Sequence, residues 1–140
     1  MGKQTTTTLE INCRGRGLFE FTDRVRSFVA ESDIGQGLLT LFCRHTSASL
    51  LIQENADPDV CHDLESFFAA LSPDGQPGWR HRSEGPDDMS AHIRGALTQT
   101  SLSIPVLDGR PALGTWQGIY LWEHRTSPHR RQVVLHLLGE

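Results

Sequence analysis

The sequence predicts an α+β fold, an antiparallel β-sheet or sandwich with helices packed on one side, formed as a single domain over residues 1–140. Three observations carry this expectation. β-rich runs and helical stripes are interleaved along the chain; the two best-marked helices each open on a proline, Pro58 and Pro86; and the C-terminal part is almost wholly β, with a tight turn at Asp108–Gly109. A chain of 140 residues and 15.6 kDa suits one ordinary domain with a real core.

Thr5 to Asn12 reads as a strand with Leu9 and Ile11 on one face, ended by Gly15–Arg16–Gly17. Thr22–Asp23 opens a helix, the hydroxyl suited to accept a first-turn N–H and the carboxylate suited to the helix dipole, with Val25, Phe28 and Val29 as its apolar stripe. From Gly37, the run Leu38 to Cys43 is short and apolar on both faces, which fits a central strand. Asp57 is a natural N-cap and Pro58 fits the first helical position. Val60, Cys61, Leu64, Phe67, Phe68 and Leu71 then recur at helical spacing until Ser72–Pro73–Asp74–Gly75. Asp74 to Pro86 is a loop rich in Gly, Pro and charge. Pro86 begins a third helix with a core stripe of Met89, Ile93, Ala96 and Leu97. Strands follow at Leu102–Leu107, Gln117–Glu123 and Gln132–Leu138.

The net charge of −4 argues against nucleic-acid binding through a general basic field. Three cysteines without a C-x-x-C pair indicate neither a disulfide framework nor a cysteine zinc site. With a polar, Thr-rich start and no apolar run of membrane-spanning length, a cytoplasmic protein with no membrane partner is expected. No phosphate-binding glycine loop, dinucleotide fingerprint, H-E-x-x-H or G-x-S-x-G occurs.

Chemistry-bearing residues collect in four segments: 45–49, 54–58, 81–92 and 113–117. His45 sits just past the central strand, either projecting into a cleft or simply hydrogen-bonded at a strand end. Ser47 and Ser49 lie near it without reliable nucleophile–base geometry. Asp88 and His92, four residues apart, share a helical face on which a carboxylate can orient an imidazole, and His81 and Glu84 lie just upstream. Three imidazoles with carboxylate support would make an open site for zinc or another divalent ion, although aspartates in a first helical turn also serve the dipole with no ligand. Glu123 falls at a sheet end or in a pocket. The basic cluster His124, Arg125, His129, Arg130 and Arg131 suits either a solvated hairpin or capture of phosphate.

HTSASLLIQENADPDV at 45–60, HRSEGPDDMSAHI at 81–93, IPVLDGRPALGTWQGIYLWEH at 104–124 and the closing PHRRQVVLHLL together resemble the secondary thiamine-phosphate synthase (YjbQ-like) family over nearly the whole chain. The hairpin Arg125–His129 departs from the Gly-Pro-Arg turn usual there. The resemblance implies a compact α+β domain, a homotrimer, and a transferase activity secondary to another role, joining a hydroxymethylpyrimidine diphosphate to a thiazole phosphate. The metal implied is a divalent ion, zinc or magnesium, on His45, His81 and His92. His45, Ser47, Glu84, Asp88 and His92 form the expected catalytic set. Asn55, Trp116, Gln117, Glu123 and Arg130 are the expected contacts to the small-molecule substrate. Two other functions fit the same residues, a metal-dependent hydrolase of a small metabolite and a metabolite-binding module without turnover.

Overall fold

The computed structural model describes residues 2–140. In chain order the elements are β1 (Lys3–Cys13), β2 (Gly17–Glu20), α1 (Thr22–Glu31), β3 (Gly37–Cys43), β4 (Ala48–Glu54), α2 (Pro58–Leu71), α3 (Asp88–Leu97), β5 (Ser101–Leu107), β6 (Arg110–Pro111), β7 (Gln117–Glu123) and β8 (His129–Gly139). The strands make a five-stranded sheet, β1-β8-β3-β5-β6, and a three-stranded sheet, β2-β7-β4. Every pairing is antiparallel, as expected from the sequence.

Leu39, Leu41, Val133, Leu135 and Leu137 from one sheet meet Leu50, Ile119 and Leu121 from the other, and Val25 and Val29 of α1 join them. This apolar layer holds the sheets face to face. Successive strand residues alternate faces, so Trp122 of β7 points away from that layer and towards α2. Its ring meets Phe68 edge-on at 4.9 Å and its Nε1 donates to Glu65 Oε1 at 2.6 Å. On the outer face of the five-stranded sheet the adjacent pair Leu38 and Leu138 and the nearby Phe42 remain about half exposed, at 48%, 53% and 49%.

Local details differ from the sequence expectations for identifiable reasons. α1 begins at Thr22, but the hydroxyl does not cap it: Thr22 Oγ1 donates to Glu20 Oε2 at 2.7 Å and accepts from Ile119 N at 2.8 Å. Tertiary partners thus replace the local one. Asp57 caps α2 by accepting from Asp59 N at 2.9 Å, yet no residue of this helix is fully buried, and Phe67 and Leu71 of its apolar stripe are exposed.

α3 starts at Asp88, after Pro86, and buries Asp88, Ser90, Ala91 and Arg94 in place of the expected Met89, Ile93, Ala96 and Leu97 stripe. The reason is polar: Arg94 Nη1 donates to Glu65 Oε2 at 2.9 Å and Ser90 Oγ donates to Ser72 O at 2.6 Å. Apolar periodicity cannot register a face buried through paired polar groups. β2 and β4, unassigned in the sequence, are the two edges of the small sheet and pair through β7.

Candidate functional site

The loop from Ser72 to Asp87 is bound down at several points. Arg16 makes a two-pronged contact with Asp74, Nη1 and Nη2 each 2.9 Å from a carboxylate oxygen, and its Nε donates to His124 O at 2.8 Å. Gly75 N donates to Pro86 O at 2.9 Å, closing the loop on itself. His81 therefore sits on ordered backbone. Asp88 is the first residue of α3 and His92 lies one turn further along the same face.

These three side chains converge. His81 Nε2 lies 2.6 Å and His92 Nε2 3.1 Å from the same atom, Asp88 Oδ2, and one ligating atom from each residue can be chosen so that all lie within 4.8 Å of one another. Asp88 is nearly inaccessible while both rings are partly exposed. His92 Nδ1 donates to Thr46 O at 3.2 Å, because a carbonyl only accepts. In the neutral ring this leaves the Nε2 lone pair aimed at a carboxylate, an arrangement that a cation between them would satisfy. Glu84 Oε2 stands 3.5 Å from His81 Nε2.

Burial pushes the Asp88 carboxyl up, but the hydrogen bond from His81 and the charges of His92 and Arg125 more than offset it, leaving the group below the usual carboxylate range. Asp87 follows the same pattern. Burial raises it, and Arg125 and the Thr126 backbone N–H hold it well below its ordinary value. Beside His81 a cleft of about 430 Å³ opens between Gln76, Pro77, Trp79, Arg82 and Pro86.

The structure does not bring His45 into this group. Its Nε2 accepts from Gln132 N at 2.8 Å, and burial followed by the charge of Arg131 lowers its pKa. Of the three histidines expected to act together, only His81 and His92 come together here, and the third member of their group is the Asp88 carboxylate. Ser47 is buried and accepts from Arg131 Nη2 at 2.9 Å. Ser49 is paired with His124, Oγ to Nε2 at 2.8 Å, in a fully buried contact closed to substrate.

The expected substrate contacts are dispersed. Glu123 is fully buried and clasped by Arg131, Nε to Oε1 at 2.7 Å and Nη2 to Oε2 at 2.5 Å. Gln117 begins β7 and Glu123 ends it, so Asn55, Trp116 and Gln117 lie at the far end of that strand, roughly 20 Å along it at ~3.4 Å per residue. There Asn55 Nδ2 donates to Glu20 Oε2 at 3.0 Å and Gln117 Oε1 accepts from Gly114 N at 2.8 Å. Arg130 lines a different cleft, with Asn12, Cys13, Arg14, Pro128 and His129. Cys13 is no nucleophile, since burial pushes its thiol up to about 12. The sequence reading missed the contacts of Asp87 and Arg125, although the adjacent Asp87–Asp88 pair was visible as an acidic helix start.

A family model described as "UPF0047 protein YjbQ-like" matches residues 7–140. The chain is 53% identical over 138 residues to a UPF0047 protein of Synechocystis, covering 99% of this chain and 94% of that one. It is 43% identical over 134 residues to the UPF0047 protein YjbQ of Escherichia coli O157:H7, covering 95% and 96%. Among solved structures, a conserved hypothetical protein from Thermus thermophilus superposes with a TM-score of 0.81 at 35% identity, over 91% of this chain and 97% of that one. A protein of unknown function from Sulfolobus solfataricus gives 0.90 at 23% identity over 100% of both chains, a likeness of fold. The YjbQ-like resemblance therefore stands, but the thiamine-phosphate synthase activity, and the transferase class with it, is corrected: these relatives carry only the UPF0047 designation or none, and no synthase or transferase name. No described helix is long and apolar enough to cross a membrane.

Proposed function

We propose that this chain, which belongs to the YjbQ-like UPF0047 family, holds a divalent transition-metal ion on His81 Nε2, Asp88 Oδ2 and His92 Nε2 and thereby binds a small polar molecule in the adjoining loop cleft. The observation that carries this is the convergence of the two imidazoles on one carboxylate oxygen. Two imidazoles and a carboxylate suit zinc and its neighbours better than magnesium, which favours oxygen ligands and retains its waters. When bound at three protein donors, such an ion supplies Lewis acidity at its open position, where a water ionises near neutral pH.

The chain's own groups support that chemistry. The Thr46 carbonyl fixes the His92 tautomer with Nε2 free, Asp88 supplies negative charge from a desolvated position, and Glu84 stands near enough to accept a proton at its Oε2. Arg82 and Trp79 line the cleft, a guanidinium and an indole face beside the metal position.

The test is metal content. Purified protein given zinc and desalted is expected to keep about one equivalent per chain. His81→Ala, Asp88→Ala and His92→Ala are each expected to lose it, and any two together should lose no more than one alone, because ligands of one site act as a unit. Variants that all retain wild-type zinc overturn the proposal.

The proposal for partners is two further copies of this chain, a homotrimer. The number three is what the family resemblance implies; the half-exposed Leu38, Phe42 and Leu138 on the outer face of the five-stranded sheet support only that a surface for self-association is present, as an apolar patch of this kind can mark an interface.

A further inference from the structure

The two oxygens of Asp88 have different surroundings. Oδ2 faces both imidazoles, at 2.6 Å and 3.1 Å, whereas Oδ1 lies 3.0 Å from Arg125 Nη1. Arg125 is itself held at three more points. Its Nε donates to Asp87 Oδ2 at 2.9 Å, its Nη2 to the Glu84 carbonyl at 2.8 Å, and its backbone N–H to Glu123 Oε2 at 3.1 Å. The next residue reinforces the contact, since Thr126 donates to Asp87 Oδ2 from its backbone N at 2.9 Å and from Oγ1 at 3.2 Å. Glu123 is in turn fully buried and clasped by Arg131. A continuous set of charge-assisted bonds therefore runs from the end of β7 to one oxygen of Asp88.

We infer that Arg125, anchored by Asp87, is a positioning residue for the metal site: its guanidinium occupies Asp88 Oδ1, confines the carboxylate to a single donor oxygen, and so keeps a coordination position open. The inference rests on the metal-binding reading above. A carboxylate free to turn can give both oxygens to a cation, which would fill the position a water or ligand needs. Pinning one oxygen to a planar fork prevents this.

Positioning and simple electrostatics predict opposite signs. A guanidinium this close to a cation repels it, so if Arg125 contributes only charge, removing it tightens metal binding. If it positions Asp88, removing it weakens binding and changes the coordination.

The probes are zinc, titrated against a chromophoric chelator, and cobalt(II), read by its visible absorption. Wild-type protein is expected to take up one cobalt with the intense bands of four-coordination. Arg125→Met is expected to bind zinc about 10–100-fold more weakly, the usual cost of losing a residue that orients a ligand, and to shift the cobalt bands towards the weaker pattern of higher coordination. Arg125→Lys, which keeps the charge without the fork, should not restore either property. An unchanged cobalt spectrum in folded Arg125→Met overturns the inference, whatever the affinity. So does zinc binding that is equal or tighter. Should Arg125→Met not fold, as judged by its thermal melt, Asp87→Asn decides by the same two readouts, since it removes the anchor and leaves the guanidinium. Wild-type protein that takes up neither zinc nor cobalt overturns the metal-binding proposal and this inference together, whereas failure in the variants alone overturns only the inference.

Discussion

His124 has no exposed surface, and its Nε2 is hydrogen-bonded to Ser49 while its Nδ1 has no partner among the described residues. Burial, and then the charges of Arg94, Arg16 and Arg131, lower its pKa from 6.5 to about 3. The unfolded chain therefore binds a proton below its ordinary value near 6.5 that the folded chain refuses until about pH 3. Stability is fully present above the unfolded value and is lost as pH falls through this window, by at most about 1.4 kcal/mol per pH unit from this one group. Asp87, held below the carboxylate range, acts in the same sense but only beneath the ordinary aspartate value of 3.8. Urea midpoints between pH 7 and pH 4.5 leave the aspartates out and read the histidines whose pKa burial lowers, His45 included, and His124→Gln is expected to reduce that dependence. A variant as steep as wild type would remove His124 as its source. The residue types for this chemistry could be read from the sequence, but their pairings could not. Glu123, expected at a substrate, instead neutralises a buried arginine eight residues away across the β7–β8 turn.

At the scale of elements, packing overrules local preference where backbones come close. Gly37 begins β3 opposite Gly139 of β8, and a Cβ on Gly37 would fall inside the Leu138 carbonyl and against the Gly139 Cα. The obstructing atoms are backbone and cannot swing aside as a side chain would. Gly37→Ala is therefore expected to destabilise by about 2 kcal/mol or more, as other overpacked sites do. Urea denaturation checks this, and a change below about 0.5 kcal/mol, the range of neutral surface changes, would mean that β3 and β8 can separate there at little cost. α3 shows the same principle in its choice of face. The helix could be placed from its apolar spacing, whereas the face it buries was chosen by Glu65, Ser72 and Arg125, all distant in sequence.

For the whole molecule the prediction concerns mass. Leu38, Phe42 and Leu138 are about half exposed on the larger sheet, and burying them between copies would stabilise an assembly through removal of apolar area from water. Light scattering at micromolar concentration is expected to give three times the 15.6 kDa chain mass. A monomer at that concentration would refute the trimer. Leu38→Lys should dissociate it, with the metal site intact in each chain.

The sequence alone determined the α+β class, most of the strand set and the capped start of α2, because period-two and period-3.6 patterns and turn residues are local properties; the family came from the resemblance of four ordered motifs. It also brought forward Asp88 and His92, since a helical turn places residues four apart on one face, with His81 just upstream of them. Only the tertiary structure decided that Asp88, rather than His45, completes the group, that Asn55, Trp116 and Gln117 stand at the opposite end of β7, and that Arg125 lies against Asp88. The physical reason is that hydrogen bonds and ion pairs between distant segments leave no period in a sequence: Asp88 and Arg125 meet only because loop 72–87 and the β7–β8 turn are folded onto the same end of the small sheet.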